Sequence, residues 1–146
     1  MCGIAGFVHA DLSPSKARQH LAAMCDAIEH RGPDDDGMLV QEVGACTVSM
    51  GMRRLAIIDT ASGKQPISNE DDSVVVVYNG EIYNFQQLRQ RLIKKGHTFQ
   101  STSDTEVLVH LYEEHGDALV DELHGMFAFA ILDRANRRML LARDRL

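Results

Sequence analysis

The sequence predicts an α+β protein, a four-layer α/β/β/α sandwich of two stacked, mainly antiparallel sheets with helices on the outside. Two observations lead there. At least seven short strand candidates accompany only two or three helices, and the runs Val74–Tyr78 and Phe127–Leu132 are apolar without alternation. A sheet with one solvated face would alternate, so these strands need cover on both sides. At 146 residues the chain reads as one domain, residues 2–146, long enough to bury roughly 68–70% of its unfolded surface.

The elements follow in order. Residues 3–8 read as a strand ending near His9. Ser13-Pro14 opens a helix, with Ser as N-cap and Pro at the first helical position. Ala17, Leu21, Met24, Cys25 and Ile28 form its apolar stripe, which makes Cys25 a core residue. The segment from His30 to Gly37 is a polar loop rich in Gly and Pro; strands are expected at 38–43, 46–52 and 55–58, followed by a loop over Thr60–Asp72. Val74–Tyr78 is a strand that Asn79-Gly80 is expected to break. Asn84 with Gln87, and Ser103 with Glu106, have the capping-box spacing for two helices ending at Gly96 and Gly116. A short helical piece spans 118–123, and strands at Met126–Leu132 and Met139–Ala142 are joined by the turn Asp133–Arg138.

Charge and composition narrow the function. A formal charge of −6 with no basic run, only the isolated pairs Lys94-Lys95 and Arg137-Arg138, argues against nucleic acid as a partner. Three cysteines without CxxC spacing suit a reducing compartment, and seven histidines without an HxxxH pair give no zinc signature. The expectation is therefore no metal. Neither an 18-residue apolar stretch nor a signal-peptide layout is present, so a soluble, cytoplasmic protein with no membrane partner is expected.

Cys2 stands directly behind Met1. If Met1 is removed, one residue carries a thiol and a free α-amine, and an amine titrating at about 7.7–8.0 can take the thiol proton. That is the activation scheme of an N-terminal nucleophile. Cys25 and Cys46 are assigned to buried positions. Asn79-Gly80 is a hairpin turn signal and equally a side-chain amide and a backbone N–H able to hold an oxyanion. Arg54, ahead of an apolar stretch, is suited to a carboxylate, while its neighbour Arg53 is expected to face solvent. Asp104 at a helix start is favoured by the helix dipole alone.

Seven stretches occur in register: Cys2-Gly3-Ile4-Ala5-Gly6, His30-Arg31-Gly32-Pro33-Asp34, Arg54-Leu55-Ala56-Ile57-Ile58-Asp59, Asn79-Gly80-Glu81-Ile82-Tyr83-Asn84, Ser103-Asp104-Thr105-Glu106-Val107, Gly125-Met126-Phe127-Ala128-Phe129 and Arg143-Asp144. Together they resemble the class II glutamine amidotransferase domain, an N-terminal nucleophile hydrolase, and most closely the glutaminase domain of glutamine-hydrolysing asparagine synthetases. The resemblance covers essentially the whole chain. It implies Cys2 as the nucleophile, Asn79 and Gly80 as the oxyanion hole, and Arg54 on the α-carboxylate of glutamine. It places the α-amino group on Asp104, a further contact at Glu81, and the backbone around Ile58 against the substrate. The loop Arg31–Gly37 would lie near the nucleophile.

The sequence departs from that pattern in two places. Met52-Arg53 stands where many relatives have His before the Arg-Leu pair. After Arg143-Asp144-Arg145-Leu146 relatives continue into a further strand and a C-terminal synthetase domain, which would carry ATP and magnesium; no nucleotide motif and no cofactor is expected in this chain. An unpaired edge strand there suggests a homo-oligomer. The alternatives are a truncated, non-catalytic glutamine-binding or interaction module, or an amidotransferase domain serving an acceptor other than aspartate.

Overall fold

The computed structural model describes residues 2–55 and 64–145. Strand β1 (Gly3–His9) leads into helix α1 (Pro14–Ala27), then β2 (Asp35–Val43) and β3 (Cys46–Arg54). β4 (Ile67–Ser68), β5 (Val74–Ile82), α2 (Phe85–Lys95) and α3 (Glu106–His115) follow, and β6 (Gly125–Asp133) and β7 (Arg138–Arg143) complete the described elements. The strands form two antiparallel sheets, ordered β1-β3-β2 and β4-β5-β6-β7.

Four layers result. α1 lies against the outer face of the first sheet through Ala17, Leu21 and Cys25. Gly51 of β3 makes that approach close: a Cβ there would stand 2.6 Å from Cys25 Sγ. Between the sheets, Val48 and Met50 meet Val75, Val77, Ala130 and Leu132. On the far side of the second sheet, Val74, Val76, Tyr78, Phe129 and Ile131 pack with Leu88, Leu92, Val107, Leu108 and Leu111 of α2 and α3. β5 and β6 thus bury both faces, as their unbroken apolar runs require.

Local chemistry sets the helix ends. Ser13 Oγ accepts the Lys16 N–H at 3.5 Å, with Pro14 in the first turn. α2 stops at Gly96, which takes φ 105° and passes its own N–H and that of His97 back to Ile93 and Leu92.

The structure corrects several expectations. β5 runs through Asn79 and Gly80 to Ile82, because the Gly80 backbone pairs closely with β6; a Cβ there would meet Met126 O at 2.2 Å. Neither expected capping box forms. The Asn84 side chain instead donates to Glu122 O and accepts from His124 N–H. Glu106 turns back to the N–H groups of Gln100 and Ser101, both at 2.7 Å. Arg53 is not a solvent residue: it donates to Cys25 O at 3.2 Å and pairs with Asp26 at 2.5 Å, closing the end of α1. Cys46, at the start of β3, is half-buried rather than buried. Leu55 falls outside the strands, and the rest of the strand expected at 55–58 lies outside the described residues.

The β6–β7 hairpin is fastened by Asp133, which is buried. Its carboxylate accepts from Asn136 N–H and Nδ2, both at 2.8 Å, and from Tyr112 Oη at 3.1 Å. Burial alone would raise its pKa, but these donors outweigh burial and hold it below the ordinary value. The folded pKa is depressed, so the stabilisation is fully present above the ordinary aspartate value of about 3.9 and is lost as pH falls below it. Asp133→Asn should lower unfolding stability at neutral pH by about 1–3 kcal/mol and flatten its acid dependence. Denaturant melts at several pH values test both effects.

Candidate active site

The two sheets stack with an apolar interior, so polar side chains on their facing surfaces are confined to strand ends. Alternation decides which residues those are. In β5, Val75 and Val77 face the opposite sheet, and Asn79 and Glu81 share their parity. In β3, Val48 and Met50 face inward, and Arg54 shares theirs. Ile4 of β1 packs on the same layer, which gives Cys2 the same face. Cys2, Arg54, Asn79 and Glu81 therefore gather on the inner faces of the two sheets.

Cys2 is held by the end of β3. The β1–β3 register, Gly3 opposite Arg53, carries Cys2 to the level of Arg54. The Leu55 N–H donates to Cys2 Sγ at 3.4 Å, and the thiol reaches Leu55 O at 3.8 Å. Arg54 is itself buried, 6% exposed; it closes β3 rather than opening the next strand. On its other side sits the loop expected near the nucleophile: Pro33 bridges Arg54, and the Asp34 N–H donates to Arg54 O at 3.0 Å.

Across the layer, Asn79 Oδ1 is buried and has no hydrogen-bond partner among the described residues. Buried amides are nearly always satisfied. A half-turn about χ2 exchanges Oδ1 for Nδ2, so this position can present a donor to an incoming oxygen. Gly80 and Glu81 are exposed at the same strand end.

Asp104 precedes α3 and is locked into β5. Its Oδ2 accepts from Tyr78 Oη at 2.8 Å and from the Ile82 N–H at 3.0 Å. The Tyr78 hydroxyl is pushed far above its usual range by burial, with the Asp104 carboxylate and then the acidic groups of Glu81 and Cys2 adding to it. Tyr78 therefore stays a donor, and the field it feels ties Cys2, Glu81 and Asp104 to one neighbourhood. Gln65 fixes its backbone from both sides, donating to Tyr78 O at 3.0 Å and accepting its N–H at 2.6 Å.

Sequence reasoning missed both Tyr78 and Gln65. Tyr78 looked like one more core residue of a β-branched run, and Gln65 sat inside an expected loop. The only signal was the hydroxyl itself, since a buried Tyr usually needs a partner. Ile58 lies outside the described residues. No described helix is long and apolar enough to cross a membrane.

The model of the glutamine amidotransferase domain matches residues 1–146. The chain belongs to that family. It is 45% identical over 147 residues to an asparagine synthetase (glutamine-hydrolysing) 2 of Bacillus subtilis, covering 99% of this chain and 19% of that protein. It is 46% identical over 144 residues to the glutamine-hydrolysing asparagine synthetase of Asparagus officinalis, covering 99% of this chain and 23% of that protein. The chain thus spans about a fifth to a quarter of the length of these curated relatives.

Solved structures match the fold. The allosteric regulatory enzyme of purine biosynthesis superposes with a TM-score of 0.71 at 24% identity, over 98% of this chain and 37% of that one. Glutamine phosphoribosylpyrophosphate amidotransferase from B. subtilis, complexed with ADP and GMP, gives 0.65 at 23% identity, over 98% and 36%. The glutamine amidotransferase domain is thus the four-layer sandwich expected from the sequence, the N-terminal nucleophile hydrolase fold.

Thiol reactivity follows from this geometry. Cys25 is 2% exposed and its pKa is raised, first by burial, so it should resist alkylation. Cys46 is half-buried like Cys2, so a small general alkylating agent should modify both. A glutamine-like electrophile should modify Cys2 alone, as peptide mass mapping would show. Labelling of Cys46 by that reagent, with Cys2 untouched, would contradict the placement of the site.

Proposed function

We propose that this domain hydrolyses the side-chain amide of glutamine to glutamate and ammonia, with Cys2 as an N-terminal nucleophile. The observation that carries the reading is the pairing of a thiol anchored on Leu55 with an unsatisfied buried amide oxygen at Asn79, on the inner faces of the two sheets.

The chemistry balances on these groups. Once Met1 is removed, the α-amine of Cys2 takes the thiol proton and sulfur attacks the amide carbon. The carbonyl oxygen becomes an oxyanion that accepts from Asn79 Nδ2 and the Gly80 N–H. The carbon–nitrogen bond then breaks as the ammonium returns its proton to the leaving nitrogen, releasing ammonia. Water, deprotonated by the same amine, attacks the γ-glutamyl thioester and frees glutamate and the thiol.

Substrate orientation uses the remaining groups. Free glutamine carries an α-carboxylate and an α-ammonium, and Arg54 and Asp104 supply the opposite charges. Tyr78 and the Ile82 N–H hold one Asp104 oxygen, which leaves Oδ1 for the ammonium. Glu81, at the exposed end of β5, adds a further contact, and the backbone near Ile58 is assigned to the substrate by family resemblance.

The parent enzyme we favour is asparagine synthetase, with ammonia passing to a C-terminal synthetase domain that would hold ATP and magnesium. Identity of 41–46% to proteins of that name supports it.

Kinetics test the assignments. Asn79→Ala should lower kcat by about 10²–10³-fold with little change in KM. Arg54→Lys should mainly raise KM, since the planar fork is lost, with melting curves to confirm an intact fold. If both variants lost only binding, the oxyanion role of Asn79 would be wrong. An active preparation should lack Met1 by intact mass. Activity in a preparation that retains it, or in a variant with an uncleavable residue ahead of Cys2, would refute the N-terminal nucleophile scheme.

A further inference from the structure

Away from the Cys2 layer, three parts of the chain bring ligating side chains together. Glu70 follows β4, His97 follows the Gly96 cap of α2, and His110 and Glu113 stand one turn apart on α3. One ligand atom from each lies within 4.8 Å of the other three. His110 Nδ1 is 3.0 Å from Glu113 Oε2 and 3.6 Å from Glu70 Oε2, and His97 Nδ1 is 3.5 Å from Glu113 Oε2. Four ligands on a tetrahedral zinc, at about 2.0–2.1 Å each, stand about 3.3 Å apart. These three spacings bracket that value, and the other three lie within 4.8 Å.

The surroundings are those of a built site. Each ligand's outward atom faces a group from outside the cluster. Thr98 N–H donates to Glu70 Oε1 at 2.7 Å, and Asn69 Nδ2 to Glu113 Oε1 at 2.9 Å. Both carboxylates thereby turn Oε2 inward. His97 Nε2 meets Glu114 Oε1 at 3.0 Å, the carboxylate–histidine arrangement that fixes metal-binding imidazoles. Asn69 is itself locked, accepting the Val74 N–H at 3.0 Å. Glu70 is exposed and leaves a path from solvent.

His110 supplies the independent observation. It is fully buried, yet its Nε2 has no hydrogen-bond partner among the described residues and lies 3.8 Å from Glu106 Oε1. If a neutral ring donates from Nδ1 to Glu113, Nε2 is a bare lone pair facing a carboxylate, an unfavourable arrangement. A cation on Nδ1 moves the proton to Nε2, where Glu106 can accept it.

We infer that Glu70, His97, His110 and Glu113 form a binding site for a divalent transition-metal ion of the zinc type. The bound ion would staple the end of α2 and the β4–β5 connection to α3. It would take no part in the thiol chemistry.

The test uses the 146-residue chain carrying Cys2→Ala, which removes the competing chelate that a terminal amine and thiol would form. After chelator treatment, zinc is titrated calorimetrically and cobalt(II) spectroscopically. One equivalent should bind with Kd of about 1 μM or tighter, raise the melting temperature, and give the intense visible absorption of four-coordinate cobalt. Glu113→Gln and His97→Gln are preferred to His110 variants, because they spare the buried ring. Each should weaken zinc binding by about 10–100-fold while leaving the metal-free melting curve nearly unchanged. No saturable binding at about 1 mM zinc, or equal affinity in both variants and the parent, would overturn the site; the cluster would then be a hydrogen-bonded imidazolium with its carboxylates.

Discussion

Face-to-face stacking of two sheets is the constraint on which the rest of this domain depends. The layer between them, built from Val48, Met50, Val75, Val77, Ala130 and Leu132, is apolar and leaves unpaired polar groups costly. Side chains that follow the same alternation beyond the apolar stretch emerge at its margin. Cys2, Arg54, Asn79 and Glu81 are those residues. Their convergence needs no special loop; it follows from strand parity and the β1–β3 and β5–β6 registers. A one-residue slip of β1 against β3 would turn Cys2 to the other face and take Ile4 out of the layer with it.

Close backbone contact is the second requirement, and it explains where the sequence misled. Asn-Gly is a strong turn signal, yet at 79–80 the chain continues straight because Gly80 must lie against β6 without a side chain. The glycine is there for proximity. The same proximity keeps the Gly80 backbone at the exposed end of a strand paired to β6. The sheet therefore overturns the turn reading.

Much of the architecture was legible because its cause is local. Unbroken apolar runs in β5 and β6, a Ser-Pro helix start and a glycine stop each have a mechanism that acts within a few residues. What escaped came from long-range partners. Asn84 has the spacing of a cap but spends its amide on Glu122 and His124. Arg53 looked exposed until the end of α1 came to lie beside it. The histidine–glutamate cluster shows only a His-x-x-Glu fragment on α3 in sequence. Its other members arrive from positions 70 and 97, so a search for paired histidines at helical spacing passes over it.

Glu106 is a buried support of this end of the fold. Burial should raise its pKa, but neighbouring His110, the Ser101 hydroxyl and the N–H groups of Gln100 and Ser101 overcome that and bring it to about 2. It is therefore an ionised acceptor inside the fold, and it draws the segment 100–101 back onto the start of α3. Ser103 Oγ completes the turn with Thr105, taking its N–H at 3.1 Å. Asp104 stands in the middle of this turn, with one oxygen already held by Tyr78 and Ile82. A carboxylate on an unsupported loop would relax toward solvent or toward the nearest N–H group. Here Tyr78 and Ile82 fix one oxygen, and the turn that carries it is anchored two residues on by a second, buried carboxylate. The Asp104 carboxylate and the charge buried in the helical layer are thus joined by a single turn of backbone.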